Sequence, residues 1–399
     1  MSDIVEIRSD VHWVGARHPQ LEVFDELFPT ENGTTYNSYL IRGTEKTALI
    51  DTVKEPFAED FMARLGSLVP PEEIDILVVN HTEPDHSGAL ESLLKVNPDI
   101  EVYITRPGEN FLGQLLNHPT NSHVVSDGEE VDLGGRTLRF IMAPNMHWPD
   151  TMFTFLKEDG ILFSCDAFGA HYCPEQGLFN DEVPDFSAQF RFYFQTIMRP
   201  FKNYIRQALD KIEGLDISMV CPSHGPLLRS DPLQAIESYR QWSAAPPETG
   251  GKKVLLLILS PHGNTRNMAA FVRRGLESRG MDVVEKSIYG TTAESLQDEI
   301  EGSDALVVGT PTINRDAPPP VWNALSLLST VTPKGRTAAV FGSYGWSGEA
   351  VKLVEERLRG LKYNLPVGGF WFRFKPTEED ERACRRLGEQ FAEAMLEQS

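Results

Sequence analysis

The sequence predicts an α/β protein of two domains, a mixed, layered domain rich in strands followed by a doubly wound parallel sheet. Three observations carry this prediction. The 399 residues amount to about 2.7 times the ~150 residues of an ordinary domain, enough for more than one core. Between Trp242 and Lys253 the chain passes through a polar stretch punctuated by Pro and Gly, with helical text before it and a buried-strand run after it. Across that stretch the hydrophobic pattern changes character. The boundary is therefore placed after residue 250, giving domains 1–250 and 251–399.

In the first domain short apolar runs end repeatedly in polar residues: Ala48 to Ile50 before Asp51, Ile74 to Val79 before Asn80, Leu138 to Ala143, Ile161 to Cys165, and Ile217 to Cys221. Helical text follows only some of them, as at Ala89 to Leu94 and Leu233 to Trp242, so a mixed sheet architecture is expected. In the second domain strand, loop and helix alternate strictly. Val254 to Leu259 precedes Asn267 to Ser278, Ala305 to Val308 precedes Val321 to Leu328, and Thr337 to Phe341 precedes Gly348 to Arg359. That alternation implies parallel strands joined by helical crossovers. No repeat of solenoid period and no low-complexity tract interrupts either domain.

Composition removes several function classes. Lys and Arg number 37 against 58 Asp and Glu, a formal net charge of −21, which disfavours nucleic acid and anionic membrane surfaces as partners. The longest aliphatic run, Val254 to Leu259, has only a strand's length, and Met1-Ser2-Asp3 shows no basic segment ahead of an apolar core. A soluble, cytoplasmic chain is expected. Cys165, Cys173, Cys221 and Cys384 form no C-x-x-C pair, which disfavours a zinc ribbon, a rubredoxin-type iron site and a disulfide framework.

The ten histidines are the richer resource. Asn80-His81-Thr82-Glu83-Pro84-Asp85-His86-Ser87-Gly88 follows one strand run and precedes helical text. Pro84 biases Glu83 toward an extended conformation, whose period of two throws His81, Glu83 and Asp85 to one side before His86 is presented at the turn. The plain alternative is a polar capping loop with Ser87 or Asp85 as cap. Two imidazoles and two carboxylates at this spacing favour a metal instead. His147, Asp166 and His224 also stand just past strand runs, where sites are assembled on α/β sheets. Singly each is an ordinary loop residue. Jointly they give four imidazoles and three carboxylates, too many for one ion and suited to two, with one carboxylate bridging. Open positions on each ion and hard oxygen ligands agree with non-haem iron better than with a closed zinc site. His12, His18, His118 and His123 lack such surroundings and read as ordinary polar histidines. Asp51 reads as a buried structural partner.

His81-x-Glu83-x-Asp85-His86 with His147, Asp166 and His224 resembles the metallo-β-lactamase fold in its flavodiiron version. The resemblance runs on through Gly33 to Tyr39, Ala48 to Thr52, His147-Trp148-Pro149-Asp150 and Asp166 to His171, and it covers essentially the whole chain. It implies an αββα sandwich. It also implies that His81, Glu83 and His147 bind one iron, that Asp85, His86 and His224 bind the other, and that Asp166 bridges. The hydrolytic zinc members carry a second His where this chain has Glu83, so Glu83 discriminates between the two chemistries. His171 and Tyr193 are implied as hydrogen-bonding groups lining the pocket, although Phe190 to Phe194 reads equally as plain core.

In the second domain Ser260-Pro261-His262-Gly263-Asn264-Thr265 links the first strand to a helix, placing hydroxyls, amides and a helix N-terminus around a phosphate. The lysine of a triphosphate-binding loop is missing, so FMN fits better than ATP. Thr310-Pro311-Thr312-Ile313-Asn314 and Gly342-Ser343-Tyr344-Gly345-Trp346-Ser347-Gly348 follow the next two strands and would flank the flavin ring in a flavodoxin-like order. These loops resemble those of flavodoxin, with Trp346 or Tyr344 as ring neighbours. His262 departs from the smaller or hydroxylic residues usual at its position.

A flavin joined to two irons has a clear use, the reduction of O2 to water, of NO to N2O, or of both. Two ferrous ions and one reduced flavin together hold the four electrons that O2 requires. The resemblance further implies a head-to-tail homodimer in which the flavin of one subunit lies near the iron pair of the other. Since no rubredoxin or flavin-reductase extension follows Ser399, electrons are expected from a separate rubredoxin-like protein or from reduced coenzyme F420. Two other classes compete: a dinuclear zinc hydrolase with a regulatory flavodoxin domain, against which Glu83 argues, and a non-catalytic electron-transfer or sensor protein.

Overall fold

The computed structural model describes residues 4–331, 333 and 335–398. It divides into two compact units, Met1–Ala244 and Ala245–Ser399.

The first unit contains two sheets. The larger runs in the order Val5–Arg8, Val11–Trp13, Tyr39–Arg42, Thr47–Ile50, Ile76–Val79, Glu101–Ile104, Ser122–Val124, and the smaller in the order Glu130–Asp132, Thr137–Met142, Met152–Leu156, Ile161–Cys165, Met219–Pro222. Because side chains alternate across a strand, each strand feeds two layers. Ile76 and Val78 join Phe140, Ile161 and Phe163 in a core between the sheets. Leu77 and Val79 instead face outward beneath the helices Ala58–Leu68, Leu90–Val96 and Arg106–Leu116. Ile141 and Leu162 face outward from the smaller sheet beneath Lys202–Ile212 and Pro232–Trp242. The result is an α/β/β/α sandwich. Both sheets mix parallel and antiparallel pairing, and the parallel pairs Thr47–Ile50 with Ile76–Val79 and Ile161–Cys165 with Met219–Pro222 gather their strand ends where the histidines stand.

The second unit is a five-stranded parallel sheet in the order Asp282–Ser287, Lys253–Ile258, Ala305–Pro311, Thr337–Tyr344, Phe370–Arg373. This is the 2-1-3-4-5 order of a doubly wound sheet, with its switch point between the first and third strands in chain order. Leu255 and Leu257 pack under Ala293–Glu301, Pro319–Ser326 and Ala350–Gly360, while Val254, Leu256 and Ile258 pack under Asn264–Glu277 and Glu378–Gln398. The last two helices cross at glycines. A Cβ on Gly275 would lie 2.2 Å from the Arg385 carbonyl, and one on Gly388 would lie 2.2 Å from that of Val272. Among the described residues no helix is long and apolar enough to cross a membrane, and all four cysteines are buried and free.

Two local expectations need correction. Thr310, Pro311, Ser343 and Tyr344 belong to strands rather than loops, because the ladder between the two strands continues through Thr310↔Gly342 and Pro311↔Ser343. Asp85 does not continue an extended segment on the side of Glu83. Glu83 is extended (φ −53°, ψ 141°), but Pro84 then opens a single helical turn, Pro84–Ser87, whose His86 and Ser87 N–H groups donate to the Glu83 carbonyl. Proline at the first helical position both ends the extended stretch and starts the turn.

Candidate functional site

The strand Ile76–Val79 is wholly buried, so its end delivers Asn80 and His81 into the interior. Asn80 fixes the exit. Its N–H donates to Asp51 Oδ1 (2.7 Å), its side-chain oxygen accepts from Thr154 Oγ1 (2.7 Å), and its carbonyl accepts from Met152 N–H (3.0 Å). Asp51 is the buried structural partner its setting suggested. Burial pushes its carboxyl up to about 6, against the opposing pull of His86 and Asn80.

The seven residues singled out in the sequence converge. On one side Glu83 Oε2 lies 3.0 Å from His81 Nε2 and 3.2 Å from His147 Nε2, with Asp166 Oδ2 at 3.8 and 3.4 Å from the same nitrogens. On the other, Asp166 Oδ1 lies 3.2 Å from His86 Nε2 and 3.3 Å from His224 Nε2. Asp85 offers Oδ1 to His86 (3.4 Å) and Oδ2 to His224 (3.2 Å). The two oxygens of Asp166 thus face two donor sets. By simple proximity His86 falls within reach of both, but its short contacts to Asp85 and Asp166 Oδ1 put it on the second side. With bonds of about 2.1 Å, neighbouring donors around one ion stand about 3.0 Å apart in an octahedron and about 3.4 Å in a tetrahedron. Seven of the eight separations fall in that range, and His81 Nε2 to Asp166 Oδ2, at 3.8 Å, lies outside it.

Electrostatics make the same point. Both oxygens of Asp85 and both nitrogens of His86 are buried without a well-aligned hydrogen bond; Asp85 and His86 Nε2 have only the ion-pair contacts above, and His86 Nδ1 has neither, a costly state for charged groups unless something ligates them. Burial disfavours every charge here. It is outweighed at His147, where hydrogen bonds to Asp166 and Glu83 push the imidazole up to about 9, and at His224, where Asp166 and Asp85 push it up to about 10. Burial likewise opposes ionisation of Asp166, yet His86, His147 and His224 hold its carboxyl well below the usual range. In the protein alone, protons on the imidazoles supply the positive charge that the carboxylates require. Two metal ions would supply it in their place, so the donor set fits such a pair.

The outer contacts orient the ligand nitrogens. Asp150, 1% exposed, accepts from His81 Nδ1–H through both oxygens (3.0 and 3.1 Å) and is itself held by the N–H and hydroxyl of Thr82, each at 2.8 Å. His224 Nδ1–H donates to the Thr35 carbonyl (2.7 Å). Both contacts leave Nε2 for the centre. Neither Asp150 nor Thr35 was assigned a role from the sequence. For Asp150 a signal existed in its place three residues after His147, whereas a backbone carbonyl leaves none.

Tyr193 donates to Asp166 Oδ1 (3.0 Å), and burial followed by that carboxylate raises its phenol well above the usual value, so the hydroxyl keeps its proton. The phenol is a partner of the centre and not plain core. His171 is 2% exposed, with Nδ1 3.2 Å from Thr34 Oγ1 and its ring 4.8 Å from that of Tyr193 and 5.6 Å from that of His224. Burial, then His224, push it down to about 3, which keeps it neutral. Phe24 packs against it with tilted rings at 4.2 Å and meets His224 edge-on at 5.4 Å, a neighbour with no sequence signal. Exposure is uneven. Glu83 and His147 are 17% and 16% exposed, while Asp85, His86, Asp166 and His224 are 4% or less. The centre therefore opens on the Glu83 side. None of His12, His18, His118 and His123 enters a metal-holding cluster among the described residues.

In the second unit the strand ends enclose a cleft of about 340 Å³. Of the residues singled out, Ser260, His262, Asn264, Thr265, Pro311, Thr312, Ile313, Ser343, Tyr344, Gly345 and Trp346 line it, joined by Pro261 and Phe374. Phe374 was missed because it follows the fifth strand, Phe370–Arg373, which carries no loop motif. Gly263, Asn314 and Gly348 are not among the lining residues. Gly263 takes φ +82° immediately before the helix Asn264–Glu277, a conformation costly for other residues. A Cβ on Gly348 would stand 3.0 Å from the Trp371 ring. Ser260 Oγ accepts from Arg266 N–H (3.1 Å), and the hydroxyls of Thr265 and Ser343 pair at 2.8 Å.

The comparisons with known proteins agree with both halves. Residues 34–225 match the family described as ODP family beta lactamase, and residues 257–388 match the flavodoxin family. The chain is 43% identical over 396 residues to the type A flavoprotein fprA of Rhodobacter capsulatus, covering 98% of this chain and 91% of that one. It is 37% identical over 405 residues to a nitric oxide reductase of Moorella thermoacetica, covering 98% and 99%. Rubredoxin oxygen:oxidoreductase from the anaerobe Desulfovibrio gigas superposes with a TM-score of 0.71 at 27% identity over 99% of both chains. The fold therefore defines a two-domain oxidoreductase, metallo-β-lactamase-like in its first half and flavodoxin-like in its second. The chain belongs to the type A flavoprotein, or flavodiiron, family. The flavodoxin domain implies FMN, and the flavodiiron kinship implies a non-haem diiron centre.

Proposed function

We propose that this chain reduces O2 to water, NO to N2O, or both, at a diiron centre held by His81, Glu83 and His147 on one side and Asp85, His86 and His224 on the other, with Asp166 between. The observation that carries the reading is the division of Asp166, whose two oxygens face two separate donor sets. When bound, FMN supplies electrons and the iron pair supplies the redox-active positions at which a diatomic molecule is reduced.

The protein's own residues do the rest. Asp150 and the Thr35 carbonyl hold the tautomers of His81 and His224 so that Nε2 faces the centre. Tyr193 keeps its proton and directs it at Asp166, and His171 adds a neutral imidazole to the pocket wall. The greater exposure of Glu83 and His147 makes that side the entry for a small substrate. Ser260 to Thr265 would hold the phosphate of FMN, and Thr312, Tyr344 and Trp346 would flank its ring. We assign a head-to-tail homodimer, and a rubredoxin-like protein or reduced coenzyme F420 as the donor.

Metal and flavin analysis of the purified protein, reconstituted with FMN and iron, followed by anaerobic turnover with a reducing dye and each gas, tests the reading. Two irons and one FMN per chain with consumption of either gas support it. Zinc as the required metal, with hydrolysis and no gas consumption, overturns it.

A further inference from the structure

Thr34 is wholly buried at the start of the strand Thr34–Tyr36, and its hydroxyl lies between two groups. Oγ1 stands 3.2 Å from His171 Nδ1 and 3.4 Å from the Thr35 carbonyl, the same carbonyl that accepts from His224 Nδ1–H at 2.7 Å. His171 Nε2 is buried and has no hydrogen-bond partner in the protein. A hydroxyl has one hydrogen to give, so the three groups can be arranged in two ways. If Thr34 donates to Nδ1, the bond to Thr35 is lost, and a neutral His171 carries its proton on Nε2 as a buried N–H without an acceptor. If His171 Nδ1–H donates to Thr34 and Thr34 donates to Thr35, every hydrogen is used and only a lone pair on Nε2 is left over. Orphaned buried donors are rarer than orphaned buried acceptors, which selects the second arrangement. The same ring forms part of the wall of a cavity of about 270 Å³, together with Pro29, Glu31, Ala188, Gln189 and Phe192, and no metal ligand lines that cavity.

Resting on the reading of the centre as a reductase of O2 or NO, we propose that Thr34 is a positioning residue that holds His171 as its Nδ1–H tautomer, so that Nε2 accepts a hydrogen bond from water in this cavity. Neither O2 nor NO has a hydrogen to donate. Both reductions form a molecule that has, since O2 gives water and NO gives N2O and water. An acceptor on this wall therefore offers the gases nothing and gives the water formed from them a partner on its way out, away from the Glu83 side by which the gases enter. The other tautomer would present a donor and lose that distinction.

The test uses the full chain with FMN, labelled with 15N at histidine and loaded with zinc in place of iron so that no signal is broadened by an unpaired electron. The His171 signals are assigned by their loss in His171→Gln. In the wild type Nδ1 is expected to carry the proton and Nε2 to be bare, in Thr34→Val the proton should move to Nε2, and Thr34→Ser should restore the wild-type tautomer. Ala188→Phe fills the cavity from an exposed position of the helix Ser187–Tyr193, and the Nε2 signal should then move downfield, toward that of an acceptor without a partner, with the tautomer unchanged. With iron in place, turnover of either gas should fall about tenfold in Thr34→Val, the size of one lost hydrogen bond, and recover in Thr34→Ser at unchanged metal content. A protonated Nε2 in the wild type, a tautomer indifferent to Thr34→Val, or an Nε2 signal unmoved by Ala188→Phe overturns the inference, as does full turnover in Thr34→Val. A wild type that holds the predicted tautomer yet reduces neither gas overturns the reductase reading instead, and the role in turnover with it.

Discussion

The centre in the first unit and the cleft in the second bind by opposite means. The centre draws seven titratable side chains, none more than 17% exposed, into one buried cluster of imidazoles and carboxylates. The cleft is lined by uncharged residues apart from His262 and is open enough that Trp346 is 74% and Phe374 58% exposed. The contrast is between buried titratable groups and uncharged lining residues. At the centre, removing one group unbalances all the others, because buried charges must be compensated locally. At the cleft the donors are amides and hydroxyls placed by strand ends and a helix start, and no single side chain decides whether the site exists.

The comparison is broken most sharply at Asp166. Asp166→Asn removes the carboxylate that faces both donor sets, and breaking a buried ionic network of this kind costs about 3–5 kcal/mol. The first unit should lose its bound metal, as read by elemental analysis, while FMN binding by the second unit stays near wild type. Metal retained at wild-type stoichiometry in Asp166→Asn would refute the bridging assignment. A smaller effect is expected for Asp150→Asn. It leaves the ligands intact but loosens the orientation of His81, and changes of this kind cost about 10–100-fold in metal affinity.

The same division explains how much was legible in the sequence. His81, Glu83, Asp85 and His86 are legible because their residue types are chemically specific and their spacing is short, and His147, Asp166 and His224 because each follows a recognisable strand. Phe24, by contrast, reaches His171 from a short hairpin with no periodicity to mark it. The Thr35 carbonyl is invisible because every residue has one. A period-two argument puts Asp85 on the side of Glu83 because it ignores the helical turn that Pro84 initiates, whereas the resemblance groups it with His86 and His224, beside which it stands. In the second unit the parallel pairing of three strands follows from alternation, whereas the strands Asp282–Ser287 and Phe370–Arg373 carry no such signal and the sheet order is legible only through the resemblance to flavodoxin. The end of the strand Thr337–Tyr344 is not legible either, because Gly342 and Ser343 look like loop residues until their pairing partners, Thr310 and Pro311, are known.

The pH dependence of the metal-free protein sharpens the contrast further. His147 and His224 have folded-state values raised from 6.5 to about 9 and about 10. The stability they contribute is therefore complete below about 6.5 and is lost as pH rises through about 9 to 10. Metal-free protein should show the melting transition of its first unit fall by several degrees between neutral pH and about 10. Metal-loaded protein should not, because the ions then compensate the carboxylates. Equal alkaline sensitivity of both forms would show that the imidazole protons are not what neutralises the cluster. In the second unit the matching perturbation is steric. Gly388→Ala places a methyl group 2.2 Å from the Val272 carbonyl and should cost about 1–3 kcal/mol. In calorimetry that loss should appear in the transition of the second unit, with metal content unchanged.

The smallest effect expected lies at Tyr193, where the two modes of construction meet in one residue. Its ring belongs to the apolar layer with Phe194 and Tyr239, while its hydroxyl donates to Asp166 Oδ1 at 3.0 Å. Tyr193→Phe keeps the ring and deletes the donor. A hydrogen bond to a charged acceptor is worth about 1.5–3 kcal/mol, but Asp166 also faces His86, His147 and His224, so the loss should lie at or below the lower end. Metal content should be unchanged and the melting temperature should fall by a few degrees at most. If the hydroxyl acts only by holding Asp166, turnover with O2 and with NO should fall by the same modest factor. A fall with one gas alone would mean instead that the phenol meets the substrate directly, which would make Tyr193 a determinant of gas selectivity as well as a support for the bridge.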